Sequence, residues 1–82
     1  MDQPDVKVLF GKRIRELRKL RGWSQEEFAL QVGLDRSYVG GVERGERNVS
    51  LENICLISIG LGVPTSKLFE QWGADTTTST PA

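Results

Sequence analysis

Hydrophobic positions along the chain recur every three or four residues, and nowhere do they alternate in the period of a strand. Phe10, Ile14 and Leu17 form a stripe flanked by Leu9 and Leu20, which predicts a helix over residues 6–21, ended by Gly22. Ser24 followed by Glu27 is a capping box, so a second helix starts at Gln25. Phe28, Ala29 and Val32 share its inner face, Gly33 supplies the left-handed stop, and Trp23 is placed to staple against Phe28. Asp35 caps a third helix from about Arg36 to Arg44, with Val39 and Val42 inward and Gly45 as its stop. Ser50 caps a fourth from Leu51 to about Leu61, where Ile54, Ile57 and Leu61 align; Gly62 ends it and Pro64 blocks its continuation. Thr65 is the expected cap of a short fifth helix through Trp72, bearing Leu68, Phe69 and Trp72. From Gly73 onward the chain is Thr-rich and offers no core residue, so residues 73–82 are expected to be a disordered tail. The pattern predicts an all-α, compact five-helix domain over residues 6–72.

Composition removes whole classes of chemistry. With 82 residues the chain makes one domain. It has no histidine and a single cysteine, so no zinc site of the usual ligands, no catalytic triad and no internal disulfide is expected. Cys55 stands in the apolar run Ile54-Cys55-Leu56-Ile57, where a small buried or half-buried thiol is expected. The longest apolar stretch, Ile54 to Val63, is interrupted by Ser58, Gly60 and Gly62 and is too short to span a bilayer. The acidic start, Met1 to Asp5, does not resemble a signal peptide. The expectation is a cytoplasmic protein without catalysis, metal, cofactor, small-molecule substrate or membrane partner.

The formal net charge is zero, but its distribution is uneven. Six basic residues (Lys12, Arg13, Arg15, Arg18, Lys19 and Arg21) face only Glu16 between positions 12 and 21. Arg36, Arg44 and Arg47 bracket the third helix. The two short helices broken at Gly33 read as a helix-turn-helix, whose second helix commonly enters the DNA major groove with its first turn leading. Gly40-Gly41 in that helix costs on the order of 1 kcal/mol per glycine against alanine. Close approach of another surface, DNA or a packed neighbour, is one reason to carry both.

The strings Arg13-Ile14-Arg15-Glu16-Leu17-Arg18, Ser24-Gln25-Glu26-Glu27-Phe28-Ala29 and Val42-Glu43-Arg44-Gly45 carry a family resemblance. Over about residues 9–72 the chain resembles the Cro/C1-type helix-turn-helix family of phage repressors and bacterial regulators, with its lambda-repressor-like fold. Asp35 through Arg44 and Arg47-Asn48 look most like the controller proteins of restriction–modification systems. The resemblance implies a homodimer that binds double-stranded DNA at a near-palindromic operator to regulate transcription. It implies base contacts by Arg36 and Ser37, and close reading at Gly41, where some members place a glutamine. Ser24, Gln25, Tyr38, Gly40, Arg44, Arg47 and Asn48 match positions that touch the DNA backbone or groove edge. Arg18 and Glu43 match a structural ion pair. Dimerisation draws attention to Ile57, Leu61, Leu68, Phe69 and Trp72, which offer apolar surface either to the core or to a second copy. Competing readings are a DNA-binding antitoxin, a prophage-type repressor, or a helical interaction adaptor without DNA binding.

Overall fold

A computed structural model describes residues 5–70. It contains five helices: α1 (Val6–Leu20), α2 (Gln25–Val32), α3 (Arg36–Glu43), α4 (Leu51–Leu61) and α5 (Thr65–Leu68). Residues 73–82, expected to form a tail, lie outside the described residues, as does Trp72.

Local chemistry sets the helix ends. The Asp5 carboxylate accepts from the Lys7 N–H and caps α1, a start the hydrophobic stripe alone does not reveal. Ser24 and Glu27 exchange both bonds of the capping box, at 3.1 and 2.8 Å. Trp23 stacks on Phe28 with ring centroids 6.4 Å apart, completing the staple. Gly33 and Gly62 close α2 and α4 at φ 75° and 72°, in the left-handed region. Asp35 accepts from the Ser37 N–H, and Ser50 from the Asn53 N–H, at α3 and α4.

One cap differs from expectation. Pro64 stands at the N-cap of α5 and Thr65 is its first helical residue, without a side-chain cap bond. Proline suits a helix start because the missing N–H has no intrahelical partner there in any case. The helix ends at Leu68 rather than running on toward Trp72.

The core gathers Phe10, Ile14, Leu17, Phe28, Ala29, Val32, Val39, Val42, Ile57, Leu61 and Leu68. This corrects the dimer assignment for three residues. Ile57, Leu61 and Leu68 are 1%, 1% and 0% exposed, so the chain's own core consumes them and they present nothing to a second copy. Phe69 remains 40% exposed, with one side against Phe10 at 5.5 Å between centroids. Cys55 is exposed, contrary to its apolar neighbourhood, because the inward arc of α4 falls on Ile57, Ser58 and Leu61 instead. Arg13 pins α5 to α1: its Nε donates to the Lys67 carbonyl at 2.9 Å and its Nη2 to Glu70 at 3.2 Å. No helix among the described residues is long and apolar enough to cross a membrane.

Candidate nucleic-acid interface

The position of α3 is fixed from behind. Arg18 on α1 grips Glu43 at the end of α3 with two parallel hydrogen bonds, Nε to Oε2 at 2.6 Å and Nη2 to Oε1 at 2.9 Å. Its remaining Nη1 donates to the Trp23 carbonyl at 2.8 Å. Both side chains are nearly buried, and the hydrogen bonds to Glu43 raise the already high Arg18 pKa against the opposing effect of burial. Gln25, first residue of α2, joins the same knot by donating from Nε2 to Glu43 Oε1 at 3.1 Å. Three elements therefore meet on one carboxylate. Gly11 brings α1 close enough that a Cβ there would strike the carbonyls of Val42 and Glu43, the latter at 2.8 Å. Fixed behind in this way, α3 turns its first turn outward.

Arg36 opens that turn and is exposed. Among the described residues no side chain forms a hydrogen bond or salt bridge with its guanidinium, although Glu26, Glu27 and Asp35 line the same open groove. Ser37 beside it is exposed, but its hydroxyl is turned back to donate to Asp35 Oδ2. That hydrogen bond, foremost, and the Ser37 N–H hold the Asp35 carboxyl below its ordinary pKa. Rotation about χ1 is needed before the Ser37 hydroxyl can reach outward.

The two glycines of α3 meet packed neighbours, one of the two kinds of surface that the sequence leaves open for them. Gly40 and Gly41 are buried, and the surfaces close to them belong to this chain. A Cβ on Gly40 would meet Arg44 Nη1 at 3.1 Å and Gln25 Oε1 at 3.5 Å. One on Gly41 would meet Arg47 Nε at 3.1 Å and Cγ at 3.2 Å. Each lies beneath the side chain of an arginine. The glycines make room for cations from the following loop to lie across the helix.

Arg47 uses that room and also stacks on Tyr38, its guanidinium carbon 5.3 Å from the ring centroid. Arg44, the C-cap of α3, pairs with Glu46 at 2.9 and 3.2 Å, which raises the arginine and lowers the glutamate pKa. Asn48 is exposed in the same loop. Ser24 is exposed, with its hydroxyl committed to the α2 cap. Thus Arg36, Ser37, Tyr38, Arg44, Arg47 and Asn48 lie along α3 and the loop that follows it, with Ser24 and Gln25 at the head of α2. Two contributors escaped the sequence pattern. Glu46 masks Arg44, and Asn53 of α4 donates from Nδ2 to the Tyr38 hydroxyl at 3.1 Å. Long-range pairing of this kind carries no local signature.

A second surface lies on α4. Leu51, Cys55, Leu56 and Ile59 are exposed along its outer side, Leu51 and Ile59 by 80% and 74%. Sequence periodicity marks the inner stripe of this helix and passes over the outer one, because apolar residues stand on both sides of α4, with Glu52 and Asn53 among them. Among the described residues no cluster of acidic or cysteine side chains is arranged to hold a metal ion.

Comparison with known proteins places this geometry. The helix-turn-helix family matches residues 14–68. The control protein C.MunI of Mycoplasma sp is 50% identical over 66 residues, covering 79% of this chain and 89% of that one. The chain belongs to the helix-turn-helix controller proteins. Restriction–modification controller protein C.AhdI of Aeromonas hydrophila is 57% identical, with a TM-score of 0.75 over 77% of this chain and 91% of that one. The controller protein C.Esp1396I is 32% identical, with a TM-score of 0.75 over 83% of this chain and 90% of its own, and has been solved as a tetramer with its natural 35 base-pair operator. With TM-scores of 0.75, the controller described here shares its fold with these two structures.

Proposed function

We propose that this controller protein binds operator DNA as a homodimer, regulates transcription from the promoter it occupies, and acts in the cytoplasm as a binding protein rather than an enzyme. The observation that carries the reading is the Arg36 guanidinium, exposed and without a hydrogen-bond or salt-bridge partner among the described residues, on the opening turn of a helix braced from behind by Arg18 and Glu43. A planar donor fork in that place suits the O6/N7 edge of guanine in the major groove. Ser37 supplies a hydroxyl to the same groove once it leaves Asp35. Ser24, Gln25, Tyr38, Arg44, Arg47 and Asn48 serve the flanking phosphates and groove edge, where contacts fix register without selecting sequence. The whole unit, residues 6–72, is the DNA-binding domain.

The partner copy is proposed to pack on the outer side of α4, through Leu51, Cys55, Leu56 and Ile59, with Phe69 at its edge. Burial of that stripe in a two-fold arrangement would set the recognition helices about 34 Å apart, one turn of DNA, and demand a near-palindromic site. With zero net charge, the chain has modest attraction for DNA in general, so paired specific contacts carry the affinity.

The test is a mobility-shift series on randomised duplexes. Arg36→Ala should relax preference at one base position in each half-site, by about 1–3 kcal/mol of lost discrimination. Arg47→Ala should weaken all sequences alike and reduce the salt dependence. Equal loss on every sequence for Arg36→Ala would remove base readout from Arg36.

A further inference from the structure

Tyr38 is held from two sides. Its ring carries the Arg47 guanidinium at 5.3 Å, and its hydroxyl accepts a hydrogen bond from Asn53 Nδ2 at 3.1 Å. The main packing of α3 is against α1 and α2, whereas Asn53 belongs to α4, so this bond ties the recognition helix to a different element. The backbone of Asn53 is itself fixed, its N–H donating to the Ser50 cap at 3.1 Å.

The direction of the bond matters. A phenol has one proton to give and lone pairs to receive with, while an amide nitrogen only gives. Because Asn53 fills the accepting side, the Tyr38 O–H proton remains to be donated outward, and a donor polarised in this way gives more strongly. The outward receiver in a complex with DNA is a phosphate oxygen. Held in place, the ring also offers Arg47 a flat surface above Gly41.

The geometry points to Asn53 as a positioning residue for DNA binding: it does not touch the duplex, but sets the Tyr38 hydroxyl as a phosphate donor and steadies the ring on which Arg47 rests. This rests on the DNA-binding reading above.

A double-mutant cycle on the full chain tests it, with the duplex that the unmodified protein selects from a randomised pool as the probe. Tyr38→Phe should weaken that duplex on the order of tenfold, as loss of one hydrogen bond to a charged group does. Asn53→Ala should weaken it about threefold or more in the unmodified protein and by less than twofold in the Tyr38→Phe background, the signature of coupled residues. Asn53→Leu keeps the branched side-chain shape without a donor and should reproduce Asn53→Ala, and thermal melting of each single variant should stay close to the parent. An equal loss from Asn53→Ala in both backgrounds, or none in either, would overturn the inference while leaving the operator reading intact. Failure of the unmodified protein to select any sequence would overturn both.

Discussion

At the scale of single residues, the recognition turn is an economy of partners. Arg13, Arg18, Arg21 and Arg44 all spend their guanidinium groups inside the domain or on a neighbouring acid. Arg36 does not. The acid nearest to it along the chain, Asp35, is occupied instead by Ser37, through both its N–H and its hydroxyl. Asp35 thus caps α3 and keeps Ser37 in reserve, and its depressed pKa gives a measurable consequence. A group whose folded pKa lies below its unfolded one stabilises the fold above the unfolded value, near 4 for aspartate, and loses that effect as pH falls through the folded value. The melting temperature should therefore be flat through neutral pH and fall in acid. Glu46, lowered by Arg44, adds to the same limb. Asp35→Asn still accepts the cap bond but has no proton to take up, so circular-dichroism melts of this variant should show a shallower acid decline. An unchanged decline would assign the acid sensitivity elsewhere.

At the scale of elements, α3 sacrifices helix stability for access. Gly41 lies under Arg47, and the two clash partners of an added methyl, Nε and Cγ at 3.1 and 3.2 Å, belong to a flexible side chain. Gly41→Ala should therefore gain the helix preference of alanine, about 1 kcal/mol, and raise the melting temperature by about 4–8 °C. The same methyl pushes Arg47 off the Tyr38 ring, so operator affinity should fall in mobility shifts while stability rises. If affinity also held, Arg47 would not need its seat on Gly41. Gly11 is the contrasting case: the Val42 and Glu43 carbonyls that crowd it are backbone and cannot move aside.

These elements were largely legible from the chain, and the reason is local. The Ser24–Glu27 box, the Asp35 and Ser50 caps and the left-handed Gly33 and Gly62 are set by residues within four positions of each other. The core stripe of α1 and the Trp23–Phe28 staple follow the same short-range logic. The site was legible only in part. The Arg18–Glu43 pair stands where the resemblance puts it and Arg36 is exposed on the opening turn, but the neighbour that Gly41 makes room for is a residue six positions on. Asn53 meets Tyr38 across fifteen positions, and no periodicity announces such a pair. The apolar pattern runs past the end of α5 because Phe69 continues it while packing from a turn beyond the helix.

At the scale of the whole molecule, α4 has two apolar faces and one core to fill. Its inner face, with Ile57 and Leu61, is fully used. The outer face leaves Leu51 and Ile59 largely in water, and fully burying such a side chain is worth about 1.5–3 kcal/mol. A second copy related by a two-fold axis would cover both stripes at once, since each face meets its own equivalent. Ile59→Glu places like charges across that axis without touching the core, so each domain should keep its melting profile at low concentration. Sedimentation equilibrium should then report a monomer, where the unmodified protein reports a dimer. Operator binding should fall more steeply than for loss of any one phosphate contact, because a monomer engages a single half-site and forfeits the effective concentration that linkage gives the second. Binding to an isolated half-site should be unaltered. A dimer that survived Ile59→Glu would move the two-fold axis off α4, most directly to the exposed edge of Phe69.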